Sequence, residues 1–99
     1  MSTPEGVVKK RVSALLKKFD VHYDMPVPTG FGKSGLDYTC CIEGRYFVVE
    51  TKAENKQPTP RQALYIESVK KRGGRTFLVN EVGGLDDLEI WLKWVTEGK

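Results

Sequence analysis

The sequence predicts an α/β fold, and three observations carry that expectation. Apolar residues recur at helical spacing in three stretches, near the start, the middle and the end of the chain. Between the first two stretches lie two strand-like runs joined by Glu43-Gly44, a tight turn that makes them an antiparallel hairpin. After the second stretch, Gly73-Gly74 leads into the strand-like run RTFLVN, Arg75 to Asn80, which suggests a crossover onto the same sheet. Hairpin and crossover together call for a mixed sheet flanked by helices.

Ninety-nine residues make one domain, 1–99, with a modest core. The net charge of +3 permits a polyanionic partner without demanding one. No apolar run approaches the roughly 20 residues of a membrane span. The opening MSTPEGVVKK has no apolar signal core, so export is not expected and a cytoplasmic protein is. Cys40 and Cys41 are adjacent and face opposite ways in a strand, which makes neither a bridge nor a zinc site. Both are expected as buried structural thiols in a reducing compartment. A single histidine, His22, removes chemistry that needs two or more imidazoles, and no serine sits on a nucleophile elbow.

The first helix opens at Thr3-Pro4, a hydroxyl cap followed by proline at the first helical position. Val8, Val12, Leu15 and Phe19 form its apolar stripe, and Lys9, Lys10, Arg11, Lys17 and Lys18 cover much of the rest. Glu5 extends the stripe backwards into the first turn, where an acid also suits the helix macrodipole. Residues 24–35, DMPVPTGFGKSG, read as a loop or distorted hairpin with Lys33 among its glycines, and their spacing is not that of a P-loop. The hairpin follows, Asp37 to Ile42 and Arg45 to Lys52. Thr59-Pro60-Arg61-Gln62 opens a second helix, with Gln62 where a capping box wants Glu or Gln. Gln62, Ile66 and Val69 share one stripe, so Gln62 also points inward. The last helix is expected from near Asp86, with Glu89 completing a capping pattern and Leu85, Leu88, Leu92 and Val95 as its stripe. Ile90, Trp91 and Trp94 widen that apolar arc beyond one core contact, which suggests a self-association face.

The stretch GRYFVVETKA holds the chemistry. In an extended strand, side chains two apart share a face, so Glu50 and Lys52 stand beside Tyr46 and Val48. Antiparallel pairing brings Asp37 next to Glu50. Two carboxylates that close repel unless a cation intervenes, and a hard divalent ion such as Mg²⁺ needs only one or two of them. Such an ion polarises a phosphoryl oxygen and acidifies water, while a neighbouring amine orients the water, helps deprotonate it or stabilises the transition-state charge. The bland alternative is an ion pair at a solvated strand end, common and weakly stabilising. Core-facing Glu5 and Gln62 weigh against it, because inward polar groups are costly without partners.

The order of Glu5, Gly35-Leu36-Asp37, Glu50-Thr51-Lys52 and Pro58-Thr59-Pro60-Arg61-Gln62 resembles the VRR-NUC branch of the PD-(D/E)xK nucleases, with its nearest likeness among small stand-alone phage and bacterial versions. The likeness runs from Pro4 to about Asn80. It implies a restriction-endonuclease-like core in the order α-β-β-β-α-β-α. It further implies Asp37, Glu50 and the Thr51 main-chain carbonyl as ligands of Mg²⁺ or Mn²⁺, with Lys52 as the catalytic lysine. Gln62 would orient lysine, water or phosphate, and Glu5 would reach a metal through water or at a second site. Leu36 stands where the motif has proline, which shapes backbone but supplies no ligand. The implied activity is a DNA endonuclease of structure-selective, Holliday-junction-resolvase-like type serving DNA repair or recombination, active as a homodimer. Whether a helicase or replication partner is needed stays open. Lys9, Lys10, Arg11, Lys33 and Arg61 are the candidate contacts to the DNA backbone. Two other classes remain: a non-catalytic nucleic-acid-binding module that keeps the fold, and a protein-interaction domain built on Trp91 and Trp94.

Overall fold

The structure of the chain, a computed structural model, describes residues 4–26, 36–53 and 56–97. The elements run α1 (Pro4–Lys18), β1 (His22–Asp24), β2 (Tyr38–Ile42), β3 (Arg45–Thr51), α2 (Pro60–Lys71), β4 (Arg75–Val79) and α3 (Leu85–Glu97). The expected α-β-β-β-α-β-α order is met. The strands form one sheet in the order β1-β2-β3-β4, with antiparallel pairing for the first two neighbours and parallel pairing of β3 with β4. Glu43 and Gly44 both take positive φ, 51° and 74°, as a two-residue hairpin turn that follows the strand twist requires.

The two faces of the sheet carry unequal cover. Phe47 and Val49 of β3 point into the main core with Val8, Val12, Leu15 and Leu16 of α1 and Leu88, Leu92 and Val95 of α3. On the opposite face Val48 meets Leu36 and Val69, with Tyr65 and Ile66 of α2 packed alongside. Side chains alternate along a strand, so β3 is sandwiched between α1 and α3 on one side and α2 on the other. Tyr38 ties α1 to the sheet: its hydroxyl donates to the Lys9 carbonyl at 2.9 Å and lies 2.8 Å from Ser13 Oγ. Burial raises the Tyr38 pKa, which keeps that donor in place.

Several expectations need correction. Cys40 is buried, but Cys41 is exposed, because β2 turns it to the face where α2 packs over β3. Trp91 is only 6% exposed and belongs to the main core, against Phe47 and Phe77, while Trp94 and Ile90 stand in solvent at 58% and 66%. The last helix begins at Leu85, with Leu88 N donating to the Gly84 carbonyl, so Asp86 lies inside its first turn and is no cap. The hairpin strands are one residue shorter at the open end, leaving Asp37 and Lys52 just beyond the ladder. Thr3, Gly35 and most of the Gly-rich loop, Lys33 included, lie outside the described residues. Among the described residues no helix is long and apolar enough to cross a membrane.

Candidate active site

The pairing of Tyr38 with Val49 sets Asp37 and Glu50 side by side at the open end of the hairpin. Both are buried, Asp37 at 7% and Glu50 at 2% exposure. Buried carboxylates are costly unless hydrogen-bonded, and here the partners are explicit. The Asp37 backbone N–H donates to Glu50 Oε1 at 3.0 Å. Thr51 donates twice to Asp37 Oδ2, from its backbone N–H at 2.8 Å and from its hydroxyl at 2.6 Å. Each acid is thus held by the strand that carries the other.

Glu50 leans towards α2, as its place on the Val48 face requires. Gln62 meets it there: its side-chain amide donates to Glu50 Oε2 at 2.6 Å. The same side chain closes the capping box, its Oε1 accepting from the Thr59 N–H at 2.9 Å while Thr59 Oγ1 accepts from the Gln62 N–H. Capping and site-building are therefore one arrangement. The cap pins the amide oxygen, so the nitrogen is left aimed at Glu50.

Lys52 follows Glu50 on the same face, with Nζ 3.4 Å from Glu50 Oε2 and its side chain only 15% exposed. Its backbone is still held to the sheet by a hydrogen bond to the Val79 carbonyl. An amine so enclosed, next to a buried carboxylate, is not the solvated ion pair of a frayed strand end. On the other side of the site, Lys9 of α1 brings Nζ to 3.7 Å from Asp37 Oδ1.

Asp37, Glu50, Lys52 and Gln62 thus come together. Glu5 lies half-buried in the first turn of α1, and among the described residues no three acidic, histidine or cysteine side chains gather as a metal cage. Lys10, Arg11 and Arg61 are exposed, Arg61 next to Gln62 at the start of α2. Two contributions went unread in the sequence. Lys9 pairs with Asp37, and the Thr51 side chain, not only its main chain, serves the site. The second had a signal, since a threonine on the core face of a buried strand needs a partner for its hydroxyl. The first had none, because helix packing on the sheet decides which α1 lysine overhangs Asp37.

The donor set suits a hard divalent cation. It offers two carboxylates within one buried cluster and no soft ligand, and Mg²⁺ completes such a set with water.

The sequence matches no family model and no curated protein. A solved structure described as a "VRR_NUC domain" is similar over 88% of this chain and 95% of its own, with a TM-score of 0.74 and 26% sequence identity. Element order, mixed sheet and flanking helices agree with the resemblance read from the motif residues. This chain has the nuclease-like fold of a VRR_NUC domain.

Proposed function

We infer that the chain is a divalent-metal-dependent DNA endonuclease hydrolysing phosphodiester bonds, structure-selective in the manner of Holliday junction resolvases. The observation that carries the reading is the buried pair Asp37 and Glu50, cross-held by hydrogen bonds, with the Lys52 amine 3.4 Å from Glu50. Asp37 and Glu50 would hold Mg²⁺ or Mn²⁺ together with the Thr51 carbonyl. When bound, the ion would polarise a phosphoryl oxygen and lower the pKa of a coordinated water.

The remaining work falls to side chains of this chain. Gln62 keeps Glu50 in one orientation, so the site is set before substrate arrives. The Lys52 amine, 3.4 Å from Glu50 Oε2, would stabilise the negative charge that grows as water adds to phosphorus. Lys9 fixes Asp37 from the far side. Glu5, in the first turn of the same helix, is assigned a water-mediated or second-site role towards the metal. Backbone contacts fall to Lys10, Arg11 and Arg61, with Lys33 outside the described residues. A homodimer would set two such sites on the two strands of a branched substrate, and sedimentation showing a single-chain mass would remove that element.

The test incubates the protein with duplex, flap, single-stranded and four-way-junction DNA, each with Mg²⁺, Mn²⁺ or EDTA. Cleavage with metal, none with EDTA and a loss of about a hundredfold or more in Lys52→Ala is the expected result. Intact substrates under every condition would leave a nucleic-acid-binding module on a nuclease fold.

A further inference from the structure

We propose that the end of the sheet opposite the carboxylates is a second, non-catalytic nucleic-acid contact, a groove that takes a single-stranded segment on aromatic rings and arginines. The proposal rests on the nuclease reading for its substrate class and adds a site outside that reading.

Three arginines reach this end from different elements: Arg45 at the start of β3, Arg72 at the end of α2 and Arg75 at the start of β4. With Trp94 they line a cavity of about 550 Å³, and its lining contains no acidic residue. A second cavity of about 420 Å³, lined by Tyr65, shares Tyr46, Arg72 and Gly74 with the first and likewise has no acidic lining. The two form one groove with tyrosines at one end and Trp94 at the other. Gly74 lets α2 and the sheet pack closely at the groove's floor: a Cβ there would come within 2.6 Å of Val69 Cγ1.

Cations at the end of α2 alone would be ordinary helix-terminus electrostatics. That does not account for Arg45 and Arg75, which arrive on strands. The Arg45 guanidinium lies over the Trp94 ring at 4.9 Å, and that of Arg75 over Trp91 at 5.9 Å. Such stacking holds the cation in place while leaving N–H donors for an anion. Trp94 and Tyr46 are 58% and 43% exposed, so each still has surface to offer a base. Three arginines interleaved with exposed rings are what sequence-tolerant single-strand binding uses, and Asp87 lies in the neighbouring cavity that Arg75, Trp91 and Trp94 also line. At about 3.3 Å per residue, Arg45 is about 17 Å along β3 from Glu50, so the groove is separate from the carboxylates.

The test titrates the whole chain in EDTA, where no cleavage occurs, with an oligothymidylate of about ten nucleotides, reading tryptophan fluorescence and anisotropy. Wild type should bind with quenching. Arg72→Ala/Arg75→Ala should weaken binding about tenfold or more, and Trp94→Ala should remove most of the quench and weaken binding by about fivefold or more. Lys70→Ala, a nearby cation that does not line the groove, should bind within about twofold of wild type. Circular dichroism confirms that each variant is folded. Undiminished binding by both groove variants overturns the proposal, as does quenching by inorganic phosphate but not by the oligonucleotide. A dimer that buries Trp94 overturns it too. Lys52→Ala separates the two readings: it should lose cleavage and keep the quench, so either can fail without the other.

Discussion

The two ends of β3 solve opposite problems. At the far end, Glu50 and Thr51 are buried, Thr51 and Gln62 donate to the carboxylates at 2.6–2.8 Å, and Asp37, Gln62 and Lys52 converge from three segments. At the near end, Arg45 and Tyr46 are exposed and their contacts are looser: a cation over an indole, and a hydroxyl 3.1 Å from Tyr65. One strand thus carries a rigid, desolvated acid site and an open, cationic surface. Chemistry that must hold a small ion needs the first kind of end, while contact with a long polyanion is served by the second.

The largest contrast should be in turnover. Glu50→Gln or Lys52→Ala is expected to lower cleavage about 10²–10⁴-fold, the range for losing a positioned acid–base or electrostatic group. Arg45→Ala should leave the saturated cleavage rate within about twofold, read in the same assay; a loss as large as that of Lys52→Ala would erase the distinction between the ends.

Next in size is stability. Thr51→Val removes the buried hydroxyl donor to Asp37 and should cost about 1–3 kcal/mol in urea unfolding. Tyr46→Phe, losing a hydroxyl that meets Tyr65 and Thr39 on an exposed surface, should stay within about 0.5 kcal/mol. Equal costs would show the carboxylate end to be no better ordered than the groove.

Gln62 offers a finer cut, because its two roles separate. Gln62→Glu keeps an acceptor for the Thr59 N–H, and so the cap, but replaces the amide donor to Glu50 with a carboxylate. Stability in EDTA should fall by about 1 kcal/mol or more from the lost bond to a charged group, and Mn²⁺ should restore part of it. Thr59→Ala should instead cost about 1 kcal/mol with or without Mn²⁺. Calorimetric melting with and without metal distinguishes the two, and identical responses would mean that the amide does not act on Glu50.

The smallest effect is alkaline. Burial pushes the Cys40 thiol up to about 12 from its ordinary 9.0, and raises the Tyr38 hydroxyl as well. Both groups bind their protons more tightly folded than unfolded. Above about pH 9 the unfolded chain therefore carries fewer protons, and stability falls as pH rises through that range. Iodoacetamide should alkylate exposed Cys41 in the folded protein and reach Cys40 only on unfolding. Equal labelling of both in the native state would contradict the burial of Cys40.

Much of this was readable in the sequence because it is local. The Glu43-Gly44 turn fixes the hairpin register, and register alone makes Asp37 and Glu50 neighbours. Thr59, Pro60 and Gln62 declare the start of α2, and strand alternation puts Glu50 and Lys52 on one face. What escaped depends on how elements cover one another. A helix about 10 Å across spans only about two strands of a sheet. α2 packs against Val48 of β3, so Cys41 on β2 is exposed, and no pattern within YTCCI shows it. Trp91 and Trp94 have the same hydrophobic signature three residues apart, yet only Trp91 faces Phe47 and Phe77. The Lys9–Asp37 contact likewise depends on how α1 packs on the sheet, where the Tyr38 hydroxyl holds the Lys9 carbonyl.

The most direct measurement is Mn²⁺ binding by calorimetry to wild type, Asp37→Asn and Glu50→Gln, without DNA. Binding that is strong in wild type and lost or weakened about tenfold or more in each folded variant is expected if both carboxylates hold the ion. Heat of binding identical in all three proteins, or none in wild type, would mean that Asp37 and Glu50 are not a metal site.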